Sequence, residues 1–547
     1  VSDQSNFFLS VIKQKDTLHV KEWDASKGKI VNRVVYDFKP VLYSPCSEES
    51  DHKSLHGDNL QPMSFKNMWA ADKYIRDNAD IVNHTYYGFD NWVAQYINQT
   101  YSDDMEMDAS KFRVANFDIE VYTGKYSSKM EVKYRQQNGA SKFTSLDRLF
   151  MLPEGYEVWD MIDNDWLPIW VRDEENTLIP NKALCFSESG GFPHPDAASF
   201  PINAITVYDS FTETYYTLVT CDYKIHREDV KIEFIRCDDE EELLNTFLAF
   251  WHESDFSIMT GWNIESFDVP YITNRIESVL GADMVSLLSP CGIVKSRTFE
   301  NSFKQEVTTY TWLGVSNLDY ILLYKKFTFV NRESYKLDYI ASVELGEHKL
   351  SYDDQLGLHG LYITDPQKFV EYNIRDVELV KRLDEKLCLI GLVIEVANLN
   401  KVNLNSVFSP VAVWESGIYH ELQKTGVEFP KRKKHKVNGK FDGAFVLDVQ
   451  KGFSDWVVSF DLTSLYPSLI MEFNISPETL VGEHKGVDID TLVNKGEDLS
   501  FLQPANQTMA ANGILYDRSV EGVLPMMMRN LFGKRKRNKG IAMDAKK

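Results

Sequence analysis

From Arg113 onward, short apolar runs of two-residue period alternate with longer runs whose apolar residues recur every three or four positions. The strand-like runs lie at 114–122, 202–208, 215–219 and 257–262, and the helical ones at 240–251, 268–280 and 366–387. An alternating order of this kind folds as an α/β domain, with helices laid on a sheet. The 547 residues are 43% hydrophobic, enough for several packed domains. Residues 1–110 carry β-like runs at 7–12, 18–23 and 30–36 and a helical stretch near 67–78, but no recognisable chemistry. Between the first two strands of the α/β region lies a polar segment, 124–201, rich in Ser, Asp, Pro and Gly, which is expected to be a surface insertion without function. A basic cluster, KRKKHK at 431–436, leads through FDGAFV at 441–446 to a strand expected at 456–461, where another domain begins. The segment from 531 to the last residue is expected to be helical, and no internal repeat is found.

Several classes are disfavoured by composition. A net charge of −22 repels a polyanion unless basic residues are gathered locally, and taken alone it argues against nucleic acid. The cysteines form no CxxC pair, so neither a zinc ribbon nor a disulfide framework is supported, and a reducing cytoplasm fits best. The longest apolar run, 388–394, falls far short of the roughly 20 residues that span a bilayer. The polar start VSDQSNFF is no export signal, and no membrane association is expected.

Chemistry concentrates in three places. In RVANFDIEVYT the apolar Ala115, Phe117, Ile119 and Val121 share one strand face, which sends Asp118 and Glu120 together to the other, about 7 Å apart. Alone, such a pair is more often a solvated strand face. In TGWNIESFDVPYI, Asp268 sits at a strand-to-helix junction, where helix capping is the ordinary role. In DPQKFVEYNIRDVELV, Asp365 is placed as N-cap and Pro366 at N1, and Tyr372 and Asp376 lie at i and i+4 on one helix face. The order of the three elements lets four acids and a tyrosine converge. Clustered carboxylates would be driven towards protonation unless cations neutralise them. Mg²⁺ or Mn²⁺ prefers oxygen ligands, and two such ions about 4 Å apart can clamp the attacking and leaving oxygens of a phosphodiester displacement. The tyrosine hydroxyl can orient the attacking water.

The strings FDIE, NIESFD and YNIRD resemble the three exonuclease motifs of family B DNA polymerases, and the fuller segments resemble those of T-even-type bacteriophages. The resemblance implies an RNase H-like 3′→5′ proofreading exonuclease, with Asp118, Glu120, Asp268 and Asp376 binding two Mg²⁺ or Mn²⁺ ions and Tyr372 positioning water. It also implies a strand-separating hairpin near RTFENSFKQEVTTYTWLG, 297–314. WVVSFDLTSLYPSLI is similar to the first polymerase motif of that family. By that likeness Asp461 binds a second pair of catalytic ions, the backbone of Leu462, Thr463, Ser464 and Leu465 approaches the incoming dNTP, and Tyr466 packs under its sugar. Arg535 and Lys539, at i and i+4 in KRKRNKG, match residues of the fingers that contact phosphates. Both basic clusters offer a route by which an acidic protein binds DNA.

The family's second palm carboxylate, in a YGDTDS-type motif, and its KxxxNSxYG-type lysine are absent. VDIDTL, with Asp488 and Asp490, lacks the Tyr-Gly and reads as a loop. The expectation is therefore a multidomain α/β chain: a β-rich N-terminal domain at 1–112 completed by 389–432, an exonuclease domain at 113–388, a partial α+β palm at 433–521, and the start of helical fingers at 522–547. Polymerisation is expected only with a second chain that carries the rest of fingers, palm and thumb, and a sliding clamp would be reached through that chain. Primer-template and single-stranded DNA are the expected substrates, in the cytoplasm of a phage-infected bacterial host. The alternatives are a free-standing exonuclease with a vestigial palm and a non-catalytic DNA-binding subunit.

Overall fold

The structure, a computed structural model, describes residues 5–545 except 80, 82–83, 103, 123–130, 138, 146–148, 150, 161–164, 173–175, 177, 182–192, 301–305, 353–356, 432–447, 449 and 486–498. KRKKHK beyond Lys431, FDGAFV, VDIDTL and the tip of the 297–314 hairpin lie outside the described residues. Contacts divide the chain into two units, residues 1–38 with 96–413 and residues 39–95 with 414–547.

The first unit begins with an antiparallel sheet of β1 (Phe7–Gln14), β2 (Thr17–Asp24) and β3 (Lys29–Val35). This sheet is stapled to the α/β region by a buried lysine. Lys21 Nζ donates to Asp255 Oδ1 at 2.8 Å and to the carbonyls of Asp255 and Phe256 at 2.9 and 2.6 Å. All three of its donors are thus used, which is what a buried ammonium requires.

The α/β region is a six-stranded mixed sheet. Its strands are β4 (Val114–Val121), β9 (Ile202–Asp209), β10 (Thr214–Val219), β11 (Lys231–Arg236), β12 (Ile258–Thr260) and β15 (Ser316–Asn317), in the order β11-β10-β9-β4-β12-β15. Between β4 and β9 the inserted segment folds into a sheet of its own, β5 (Glu131–Gln136), β6 (Lys142–Ser145), β7 (Tyr156–Asp160) and β8 (Asp165–Pro168), in the order β8-β7-β5-β6. The hairpin expected at 297–314 is present as β13 (Val294–Glu300) paired with β14 (Glu306–Trp312).

Three helices matter to the site: α1 (Glu240–Ser254), α2 (Asp268–Leu280) and α4 (Pro366–Leu387). A fourth, α3 (Tyr320–Phe327), follows β15. Ala115, Phe117 and Ile119 of β4 pack with Phe247 and Trp251 of α1 and Ile272 of α2 in one core. On the opposite side, Ala204, Tyr215 and Val219 pack with Phe369, Val370, Ile374 and Val377 of α4. The region is therefore three layers, with helices covering both faces of the sheet. The α4 bounds match the expected helix at both ends; Asp365 accepts from the Lys368 amide at 3.0 Å as its N-cap, and Pro366 opens the first turn. The strand expected at 257–262 is shorter, because β12 ends at Thr260.

In the second unit, strands Val41–Pro45 and Asn59–Ser64 pair antiparallel, and the expected helix near 67–78 runs from Met68 to Asp77 with Asn67 as its N-cap. The later part holds α5 (Leu465–Phe473), a three-stranded sheet of Leu480–Glu483, Ile514–Asp517 and Gln507–Met509, and α6 (Val523–Ala545). The strand expected at 456–461 does not form: no ladder pairs these residues, and Trp456 and Phe460 are 97% and 91% exposed. An apolar run with high strand propensity stays irregular when nothing described here hydrogen-bonds its backbone. Among the described residues, no helix is long and apolar enough to cross a membrane.

Candidate active site

Four chain segments build the site, and each is held by the local structure of its element. The first is β4. Its start is fixed by Arg113, whose guanidinium makes two bonds to the buried Asp209 at the end of β9, Nη2 to Oδ2 at 2.6 Å and Nε to Oδ1 at 3.0 Å. That clamp sets the register that pairs Asp118 with Thr206. With Phe117 and Ile119 committed to the core beneath α1 and α2, Asp118 and Glu120 must project to the α4 side. A one-residue slip would turn the acids into the apolar core under α1 and α2 and the apolar set towards α4.

Asp268 does not take the capping role that is ordinary at such a junction. It is the first residue of α2, Phe267 occupies the N-cap position, and no side chain caps the helix. Its carboxylate instead accepts from the Ile119 amide at 3.1 Å, between the two acids of β4. This is possible because β12 ends opposite Asn116, which leaves the later part of that β4 edge without a strand. The turn into α2 needs close approach: a Cβ on Gly261 would lie 2.4 Å from the Phe117 carbonyl oxygen. Asn263 follows in the left-handed region, at φ 68°. The loop is then locked by Asp319, buried and accepting from the amides of Asn263, Glu265 and Ile321 at 3.0, 3.0 and 3.1 Å.

Helix α4 supplies Tyr372, Asn373 and Asp376, all buried. Asn373 Nδ2 donates to Asp118 Oδ2 at 2.8 Å. Lys349 Nζ donates to Asp376 Oδ2 at 2.5 Å and to the Tyr372 hydroxyl at 3.0 Å. The Tyr352 ring stands edge-on to Tyr372, with centroids 5.4 Å apart. Oxygens of Asp118, Glu120 and Asp376 lie within 4.8 Å of one another.

Burial, and then mutual repulsion, push these acids towards protonation. Asp118 is raised well above the ordinary carboxylate range by burial and by Glu120, Asp268 and Asp376. Glu120 is raised by burial and then Asp376. Asp268 is pushed up to about 7, chiefly by burial, against the pull of the Ile119 amide. Asp376 is raised by burial despite Lys349. Burial opposes the charge on Lys349, yet Asp376, Tyr372 and Asp118 outweigh it and hold the ammonium protonated. One lysine thus faces four carboxylates. Asp376 Oδ1 is buried without a hydrogen-bond partner. An acceptor of that kind, amid unneutralised oxygens, suits a hard divalent cation, which takes oxygen ligands.

Asp118, Glu120, Asp268, Tyr372 and Asp376 are therefore brought together. Asp461 belongs to the other unit. It is exposed, as are Leu462, Thr463, Leu465 and Tyr466, and Ser464 is half-buried. Ser464 adopts φ 54° at the start of α5, and its Oγ accepts from Arg535 Nη1 of α6 at 3.1 Å. Arg535 and Lys539 are exposed on α6.

Three residues escaped sequence reading. Asn373 lies within YNIRD, three positions before Asp376, and the same helical spacing that paired Tyr372 with Asp376 would have found it. Lys349 sits in a connection without periodicity, and nothing local marks it, whereas Asp319 is the N-cap of α3 and could have been found as a cap, though not its bonds to Asn263 and Glu265.

Comparison with known proteins places this geometry in context. Residues 178–340 match a family model described as DNA polymerase family B, exonuclease domain, and residues 412–546 one described as DNA polymerase family B. A DNA-directed DNA polymerase of Escherichia phage RB69 is 31% identical over 99% of this chain and 54% of its own length. That of Enterobacteria phage T4 is 30% identical over 97% of this chain and 53% of its own. A DNA polymerase delta catalytic subunit of Glycine max is 25% identical over 66% of this chain and 33% of its own length. The chain thus spans about half the length of the phage relatives it matches.

Proposed function

Because the chain belongs to DNA polymerase family B, and its first unit carries a carboxylate cluster, we propose that this unit is a metal-dependent 3′→5′ exonuclease that proofreads DNA. The observation that carries the reading is the convergence of Asp118, Glu120 and Asp376 within 4.8 Å, beside the orphaned Asp376 oxygen. Asp118, Glu120, Asp268 and Asp376 would hold two Mg²⁺ or Mn²⁺ ions, whose chemistry is to polarise the scissile phosphate and lower the pKa of water. The protein's own part is to place the DNA terminus and the nucleophile. Tyr372 stays a neutral hydroxyl, because burial and then Asp376 raise its pKa, so it can accept and pass on a hydrogen bond from water. Lys349 fixes that hydroxyl's direction. Asn373 holds Asp118.

Purified chain should shorten single-stranded DNA from the 3′ end with Mg²⁺ or Mn²⁺, and Asp118→Ala with Glu120→Ala should abolish this. Cleavage without metal, or cleavage that survives the double change, refutes the assignment.

The polymerase reading rests on likeness. Asp461 would bind the ions of nucleotidyl transfer, the backbone of Leu462–Leu465 would meet the dNTP phosphates together with Arg535 and Lys539, and Tyr466 would back the sugar. The contact between Arg535 and Ser464 supports this grouping. The domain bounds 1–112 with 389–432, 113–388, 433–521 and 522–547 are part of the same proposal, as is work in the cytoplasm of a phage-infected bacterium. A second palm carboxylate would have to come from outside these 547 residues, in the same polypeptide or in a partner that also reaches a sliding clamp. Primer extension should accordingly require those residues; extension by these 547 alone would overturn the proposal.

A further inference from the structure

The inserted segment carries its own small core and, on the other face of its sheet, a group of side chains that core does not need. Val132, Leu149, Val158 and Ile169 are buried together, with Tyr134, Tyr156, Leu167 and Trp170 packed around them. Strand alternation sends the intervening residues to the opposite face: Lys133 and Arg135 of β5, Phe143 of β6, Glu157 and Trp159 of β7, and Trp166 of β8. Phe143, paired with Lys133, is 66% exposed. Trp159 and Trp166 are cross-strand partners, half-buried, with rings 5.3 Å apart. Lys133 Nζ stands 5.7 and 5.9 Å from their centroids, and the Arg135 guanidinium 4.0 Å from that of Trp166. Glu157 on this face accepts from Arg135 Nε at 2.9 Å.

We propose that this face binds single-stranded DNA, with bases stacked on Trp166, Trp159 and Phe143 and phosphates met by Lys133 and Arg135. Aromatic rings joined to cations on one sheet face are what a base-and-phosphate chain requires, because stacking is tolerant of sequence and the cations track the backbone. The charge is locally complementary although the chain as a whole carries −22. Strands about 4.8 Å apart give the four-stranded sheet a width of roughly 14 Å, room for two or three nucleotides.

The test is fluorescence anisotropy of a labelled oligodeoxythymidylate on the full chain in EDTA, with ultraviolet cross-linking to locate the contact. Trp159→Ala with Trp166→Ala should weaken binding about 10-fold or more, and Trp166→Phe should retain most of it. Lys133→Gln should lessen the slope of log affinity against log salt by about 0.7. Cross-links should map to 131–136 or 156–168. Undiminished affinity of the double variant, or cross-links that fall wholly elsewhere, overturns the proposal; if the double variant misfolds, Trp166→Phe against Lys133→Gln decides. Metal-dependent cleavage of a trinucleotide should be unaffected by the tryptophan changes, which separates failure here from failure of the nuclease reading.

Discussion

Replacing Asp268 with asparagine should stabilise the metal-free protein, and the gain should depend on pH. The side chain is 4% exposed, and its carboxyl is raised from 3.8 to about 7, chiefly by burial. A group with a folded pKa above its unfolded one adds stability while protonated and loses it as pH rises from the unfolded value to the folded one. Here the window runs from about 4 to about 7, and three pKa units correspond to about 4 kcal/mol. Asparagine keeps an oxygen to accept from the Ile119 amide and has no charge to bury. In EDTA, Asp268→Asn should match wild type near pH 4 and exceed it by up to about 4 kcal/mol at pH 8, an upper bound because four acids share the repulsion. Mg²⁺ should shrink or reverse the gap, since an ion that binds only the native state stabilises it by about 2.7 kcal/mol at a hundredfold excess over Kd. Urea denaturation of the site-bearing unit, at both pH values and with or without Mg²⁺, reads this directly. An equal midpoint at pH 8 in EDTA, or a gain untouched by Mg²⁺, would refute the idea that the four acids await cations.

Two further changes probe the same cluster. Lys349→Met removes the internal cation, so at pH 8 in EDTA it should cost about 3 kcal/mol, with the cost fading towards pH 4 as the acids protonate; a pH-independent loss in denaturation would point to packing alone. Tyr372→Phe removes the hydroxyl and keeps the ring against Tyr352. It should lower the cleavage rate about 100-fold with little change in thermal unfolding, and unaltered single-turnover rates would remove the hydroxyl from the chemistry.

How much of this was legible depended on whether a residue's partner lay within one periodic element. Asp118 and Glu120 were readable because strand alternation fixes their face without any knowledge of the neighbouring strand. Tyr372 and Asp376 were readable because helical spacing does the same. Asp268 was legible at its junction, but its hydrogen bond was not: capping would be a local bond, whereas its carboxylate accepts from the Ile119 amide, 149 positions away in sequence. Lys349 reaches Tyr372 and Asp376 only through distant bonds, and Asp319 joins its local cap on Ile321 to the amides of Asn263 and Glu265, more than 50 positions earlier, so no window of sequence shows either role in full. The insertion was legible only in part. Its Ser, Gly and Pro content marked it as surface, which it is, but composition could not show that alternate residues of four short strands gather two tryptophans and two cations on one side.

The same distinction separates the two sites. In the first unit every acid of the cluster sits on a strand or helix whose other face is buried, so the energy of packing Phe117, Ile119, Ile374 and Val377 is what holds like charges together. That packing works against the burial and repulsion that raise the carboxylates. Around Asp461 no such counterweight is described. Phe453, Trp456, Val457, Phe460 and Leu462 are exposed, and Asp461 is carried on a backbone with no ladder. A strong motif and an assembled site are therefore different things. The motif proposes which groups could do the chemistry, whereas assembly depends on apolar neighbours, and the role proposed for Asp461 would require neighbours that pair with 456–461.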